Sequence, residues 1–371
     1  MKVKIKRDQL LHAFQMAAAV TSSRSSKEIL RNVKIEVTDD RVVLMGTDLE
    51  IGIRAAVTEL EVDAPGNVVV PTDRFGAILR ESVDEVLQIE YDGQKAVVTG
   101  TSSQFQLPAA NPEEFPSVPQ FTEETFYTLS APLLRQLVRR TVFATDPDSS
   151  RYALGGVLLE FTEQSVTAVG TDGRRLAQQS GPIERSGDGG GEQNAIVPAR
   201  AMNLIDRTLG DDDKPVQLTT RQNDLLVRSG TSTLYSRLVE GRFPKWRDVF
   251  PKHSEGVRID LPVGPFHAAV RQAAIVTSEE RRGVQFQFVD GKLKLAAYGA
   301  EKGESHVEMP ISYDGEQQSI DLDPRYFNEF LRVLDPDKTF TIELRGSDAA
   351  AVCTTDDGYG YVIMPLARDQ R

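Results

Sequence analysis

Cysteine is all but missing: Cys353 stands alone among 371 residues. It can close no intrachain disulfide and build no cysteine-based metal site, which favours a reducing compartment. Long apolar runs are missing too. No stretch approaches the roughly 18 apolar residues of a membrane span, and the start, MKVKIKRDQLLHAF, lacks the apolar segment of a secretion signal. The expected place of action is the cytoplasm, with no membrane partner. His12, His253, His267 and His306 are too scattered for metal-ligand spacing or a catalytic pair. No nucleophile, base or carboxylate pair converges either, so a hydrolase working between domains lacks its constellation. SGDGGGEQ, 186 to 193, is glycine-rich but lacks the Gly-Lys-Ser/Thr ending of a phosphate loop. No catalytic residue, metal or cofactor is therefore expected. Basic charge is in deficit, with a net of −12 at pH 7. That argues against wholesale attraction to nucleic acid and leaves a local basic surface open.

What is present is repetition. GTDLEIGI at 46 is echoed by GTDGRRLA at 170, with Thr47 and Thr171 124 residues apart. AAAVTS, TVFATD and AAIVTS align Thr21, Thr145 and Thr277. VVVPTDRFGAILR, AIVPARAMNLIDR and IDLDPRYFNEFLR align Arg80, Arg207 and Arg332. A third set, LQIEYDGQKAVV, VQLTTRQNDLLV and FTIELRGSDAAAV, reads as strand, tight turn, strand. Anchors in constant order at a nearly constant period mark three homologous domains, 1–122, 123–255 and 256–371. Proline-rich polar segments separate them. Each domain is α+β, with two helices and about eight strands, the helices lying on one face of antiparallel sheets.

Taken together the helices are positive. Across 7–19, 72–80, 131–144, 199–208, 264–276 and 324–334 there are eleven arginines and four acids, a net of +7 that leaves −19 for the rest. Charged helix surfaces often mean only solubility, but a positive sum over six helices suits a polyanion. Contacts of this kind to phosphate give affinity without sequence information and fade with salt. A repeated scaffold that binds only proteins has no need of the bias.

With these features the chain closely resembles the bacterial sliding clamp family, the β subunits of DNA polymerase III. The resemblance spans essentially the whole chain and rests on GTDLE, RYALGGVLLE, TDGRRLA, EGRFPKWRDVFP and YVIMPL, together with Arg24. It implies a non-catalytic homodimer, closed head to tail as a ring of six domains around double-stranded DNA. Twelve helices at roughly 9 Å spacing give a circumference of about 110 Å. The ring of helix axes is then about 35 Å across, and subtracting a helix diameter of about 10 Å leaves a channel of roughly 25 Å. The implied partners are the polymerase III catalytic subunit, the clamp loader, and other polymerases and repair proteins carrying a clamp-binding peptide.

The resemblance implies a DNA-facing set of Arg24, Arg80, Arg135, Arg139, Tyr152, Arg200, Arg207, Arg271, Arg325 and Arg332. Read from the residues alone, TDGRRL is equally a plain β-turn with a charged rim. The resemblance makes it part of a partner-peptide pocket of Leu154, Thr171, Gly173, Arg174, Arg175, Leu176, Pro244, Val249, Val362, Met364, Pro365 and Leu366. An apolar floor with a polar rim suits a short apolar anchor. For the dimer edges it points to Arg74, Phe75, Phe105 and Leu107 on one side and Ile275 and Val276 on the other. Phe75 and Ile275 also fit the buried faces of their own helices. Two features depart from the family's usual pattern: Asp248, where a basic residue is common, and the charged tail RDQR at 368–371.

Overall fold

The computed structural model describes residues 1–149, 152–187, 193–210, 214–250, 256–299 and 302–366. Most of SGDGGGEQ, His253 and the 368–371 tail lie outside the described residues. Six α-helices occur among the described residues: α1 (Arg7–Ala18), α2 (Thr72–Glu81), α3 (Ala131–Thr141), α4 (Ala199–Thr208), α5 (Val263–Ala273) and α6 (Pro324–Arg332). Proline sets several of their starts. Pro71, Pro198 and Pro262 are the N-caps of α2, α4 and α5, where the missing N–H costs nothing. At α6, Pro324 takes the first turn and the Asp323 carboxylate accepts from Arg325 N–H at 3.0 Å. The expected last turns at 142–144 and 274–276 are 3-10 rather than α.

Nine strands belong to each of the first two repeats and eight to the third, all in antiparallel sheets among the described residues. One cross-strand row shows the repetition residue by residue. Val3–Ile89–Val98–Phe105 recurs as Tyr127–Leu218–Val227–Leu234 and as Ile259–Ile342–Cys353–Tyr361. A second signature is glycine. Gly46, Gly170 and Gly299 sit under the chain leaving α1, α3 and α5, where a Cβ would collide with the carbonyls of Ala17, Thr141 and Val276. Helix and strand approach too closely there for any side chain. The third repeat keeps this glycine but drops the Thr-Asp turn, so the GTD tripeptide could mark only two of the copies.

The chain divides into two compact units, Met1–Arg135 with Ile183–Leu238, and Gln136–Pro182 with Val239–Arg371. In the first, strand Ser232–Arg237 of the middle repeat pairs with Ile51–Val57 of the first, Leu234 opposite Ile53. One continuous sheet of nine strands results. In the second unit, Arg175–Pro182 pairs with Gly360–Ile363, Ala177 opposite Tyr361. Gln104–Pro108 of the first repeat and Gly303–Pro310 of the third, the counterparts of the strands joined at these two junctions, are terminal strands of their sheets among the described residues.

The buried faces are apolar and fill separate cores. In the third repeat Phe266, Phe286, Phe327, Phe330 and Phe340 cluster with Tyr359 and Tyr361, the rings of Phe330 and Tyr361 stacking at 4.8 Å. Cys353 is buried there, its thiol pushed up by burial away from reactivity.

Candidate functional site

The residues expected to form a peptide pocket fall in one compact unit. Strands Ser165–Thr171 and Arg175–Pro182 are joined by the turn at 172–174, where Gly173 takes φ +87°. The turn is held from inside. Thr171 Oγ1 donates to the Arg175 carbonyl at 2.6 Å and accepts from Gly173 N–H at 3.1 Å, while Asp172 Oδ1 accepts from the amides of Arg174 and Arg175. The Met364 amide donates to the Arg174 carbonyl at 2.9 Å, tying the strand end at 364 to the turn. Leu176 and Val362 lie opposite each other and, like Leu154, are buried. Val249 and Met364 stand out at 42% and 45% exposure, and Pro244 is also exposed. Pro365 and Leu366 are half-buried.

Arg175 departs from its expected place. It is not on a rim but buried, ion-paired with Asp172 at 3.0 Å and with Glu329 of α6. Nη2 donates to the Phe143 carbonyl at 2.7 Å, and the guanidinium lies 4.7 Å from the centre of the Tyr326 ring. A buried guanidinium needs this many partners to offset its desolvation. Arg174 is the exposed cation of the pair.

Among the DNA-facing candidates, Arg24, Arg80, Arg139, Arg207, Arg271 and Arg332 have exposed side chains. Others are engaged within the chain. Arg135 is half-buried, 3.5 Å from Asp206, and donates to the carbonyl of Gly210 at 3.0 Å. Arg200 pairs with Asp48, and Arg325 forks onto the Asp323 carboxylate. Tyr152 opens a 3-10 turn, and its side chain lies outside the described residues. Across the six helices eleven arginines meet five acids; the net is +6 rather than +7 because α2 runs on to Glu81. His267 of α5 senses this charge: burial first, then Arg271 and Arg332, hold its imidazole below the usual range.

The dimer-edge expectation needs correction at three positions. Phe75 is 0% exposed and packs edge-on against Phe14, with ring centres 5.3 Å apart. Leu107 and Val276 are likewise buried within the chain's own cores. Apolar periodicity, helical around Phe75 and Val276 and alternating at Leu107, marks an apolar face without saying what covers it. Arg74, Phe105 and Ile275 are exposed, the last two at 41% and 74%. Phe105 is the one member of its set left open: the corresponding Leu234 and Tyr361 are covered by a strand of the preceding repeat.

One relation escaped the sequence. The junction of the first and middle repeats is built like the pocket junction: Thr47 Oγ1 donates to the Ile51 carbonyl, Leu49 N–H donates to Thr47 Oγ1, and Arg237 N–H donates to the Glu50 carbonyl. Leu49, at φ +82°, replaces Gly173. Gly52 replaces Leu176, and Val118 of the connecting segment fills the space, 2.7 Å from where a Cβ would stand. That junction is closed by its own chain. The echo of GTD was the available signal, but it carried no word of what covers the turn. Among the described residues no group of three or more His, Cys, Asp or Glu could hold a metal ion, and no helix is long and apolar enough to cross a membrane.

Residues 1–119, 128–245 and 247–367 match the family models of the N-terminal, central and C-terminal domains of the DNA polymerase III beta subunit. A beta sliding clamp from Pseudomonas putida is 31% identical, the match covering 99% of this chain and 100% of that protein. One from Escherichia coli is 28% identical, also over 99% and 100%. The crystal structure of the DNA polymerase III subunit beta from Pseudomonas aeruginosa is similar with a TM-score of 0.91 at 28% identity, covering 99% and 100%. The sliding clamp of Bacillus subtilis shares the fold at 0.92 and 23% identity, over 99% of each chain. With three consecutive domain models and a full-length relative at 31% identity, the chain belongs to the DNA polymerase III beta subunit family.

Proposed function

We propose that this chain is a DNA sliding clamp: two copies close head to tail into a ring that encircles duplex DNA in the cytoplasm and tethers the replicative polymerase, without catalytic chemistry of its own. The observation that carries the reading is the arginine excess summed over the six helices, strongest on α3, in a chain whose net charge is −12. Loose phosphate contacts from arginine hold a duplex without choosing a sequence, as sliding requires. The domains are 1–122, 123–255 and 256–371. The clamp loader opens the ring, and the catalytic subunit, other polymerases and repair proteins dock short peptides over Leu176 and Val362, between Val249 and Met364.

Closure follows from the repeats. A head-to-tail contact uses two different surfaces and closes when the rotation returns to its start. Ile53 faces Leu234 and Ala177 faces Tyr361 in the two internal seams. Gly46 lies opposite Ile53, Gly170 opposite Ala177 and Gly299 opposite Gly303, so the third seam sets Gly303 against Phe105 of the second copy. Ile275 completes it. Its counterpart Phe143, likewise two residues before the aligned threonine, packs on the neighbouring repeat's core.

The test is topological. Loaded protein should stay on circular duplex at high salt and leave when the circle is cut; rapid loss from intact circles would sink the reading. On the same circles, glutamate at Arg24, Arg80, Arg207 and Arg332 should weaken retention similarly whatever the sequence.

A further inference from the structure

The nine-stranded sheet has a second face, turned away from α1 and crossed by the segment that connects the first two repeats. Phe115 and Val118 of that segment pack on Val43, Met45 and Val69. Beside them lies a cleft of about 310 Å³, its cationic lining made by Arg41, Arg54 and Arg228 and its acidic lining by Glu36. The register explains the grouping. Met45, Arg54, Thr233, Arg228 and Gln217 stand opposite one another in a row across five neighbouring strands, so their side chains share one face. Two guanidinium groups therefore flank the Thr233 hydroxyl, and Thr58 and Thr231 add further hydroxyls to the lining.

The internal partners do not use up these guanidinium groups. Arg54 Nη1 donates to the Val118 carbonyl at 3.3 Å and to Met45 Sδ at 3.0 Å, and its Nη2 lies 3.6 Å from Glu36. Arg228 Nε donates to Gln217 Oε1 at 2.6 Å, while its guanidinium rests 4.4 Å from the centre of the Phe121 ring. Arg41, half exposed, reaches the more exposed Asp40 at 3.4 Å through Nε. Each arginine carries five donors in a fixed fork, so donors remain on all three. Burial, then Arg41, weigh against the Arg54 charge, and Glu36 only partly compensates. Guanidinium forks and hydroxyls are the donors that suit a phosphate or carboxylate, and the volume is at the lower end for small-molecule sites.

We propose that this cleft is a binding site for a small oxyanion, the phosphoryl or carboxylate group of a soluble ligand, on the face opposite the helices. A purely structural role, in which Arg54 and Arg228 pin the connecting segment, predicts no ligand. The experiment is equilibrium dialysis of the full-length protein against radiolabelled inorganic phosphate at ionic strength fixed with chloride, with crystals soaked in selenate to locate the anion. The expected result is an anomalous peak between Arg54 and Arg228 and binding that Arg41→Ala weakens roughly tenfold, as loss of a charge-assisted hydrogen bond would. Arg41→Ala should keep the native circular dichroism spectrum because its side chain is half exposed. Arg54→Lys, which keeps the charge and loses the fork, should also weaken binding. Displacement of phosphate by citrate assigns the site to carboxylate ligands, and its absence assigns it to phosphoryl groups; both support an oxyanion site. Phosphate found only on the helix arginines, or binding unchanged in both variants, overturns the proposal.

Discussion

At the scale of single residues, Arg175 and Arg174 show how adjacent identical side chains divide their work. Arg174 faces solvent, whereas Arg175 joins Asp172, Glu329 and the Phe143 carbonyl inside the second unit. Removing one partner of such a buried group leaves charges uncompensated, at a cost of roughly 3–5 kcal/mol. Arg175→Ala should therefore lower the thermal midpoint of the protein by several degrees, and Arg174→Ala should leave it in place; equal midpoints would return Arg175 to the surface. His267 gives a pH-dependent counterpart. Its pKa is depressed in the folded state, so below the unfolded value near 6.5 the unfolded chain binds a proton that the folded chain refuses. Its contribution is full above about pH 6.5 and declines as pH falls through the window below. Phosphates beside Arg271 and Arg332 would relieve the repulsion, so an NMR titration of the His267 ring should show a higher pKa with duplex DNA bound than without.

Among elements, the two internal junctions differ in what fills the same place beside the turn. Gly52 admits Val118 at one, whereas Leu176 itself occupies the place at the other and Val249 and Met364 are left exposed. Gly52→Leu forces Val118 out of its place, an overpacking worth roughly 1–3 kcal/mol, visible as a lower denaturation midpoint with peptide binding at the other junction intact. The open sheet edges make a separate prediction. Ile275→Ala with Phe105→Ala should give folded monomers on sedimentation, because both side chains are exposed in the isolated chain and their apolar area is lost from association. Native circular dichroism with an unbroken dimer would refute the assignment. The helices, their arginines and the repeat were legible in the sequence because periodicity and anchor order are local signals. Phe75, Leu107 and Val276 were not, since apolar spacing is the same for a core and for a partner's surface. The burial of Arg175 was equally hidden, because a charge count does not say where its partners lie.

At the scale of the whole molecule, the compact units do not follow the sequence repeat. The middle repeat is split between them, and the chain passes from one unit to the other after Arg135, Pro182 and Leu238. Its strands complete sheets begun by the repeats on either side: Ser232–Arg237 extends the first, and Arg175–Pro182 joins the third. The repeated unit of the sequence and the compact unit of the structure are therefore different. A middle repeat excised as 123–255 would expose the edges of both strands and bury too little apolar surface, so it should show no sigmoidal melt. In the intact chain, amide exchange at both seams should be governed by sub-global unfolding that takes neighbouring repeats together. A protease able to nick the connecting segments should thus release no stable single repeat, and damage at one seam should be felt as lost protection in two.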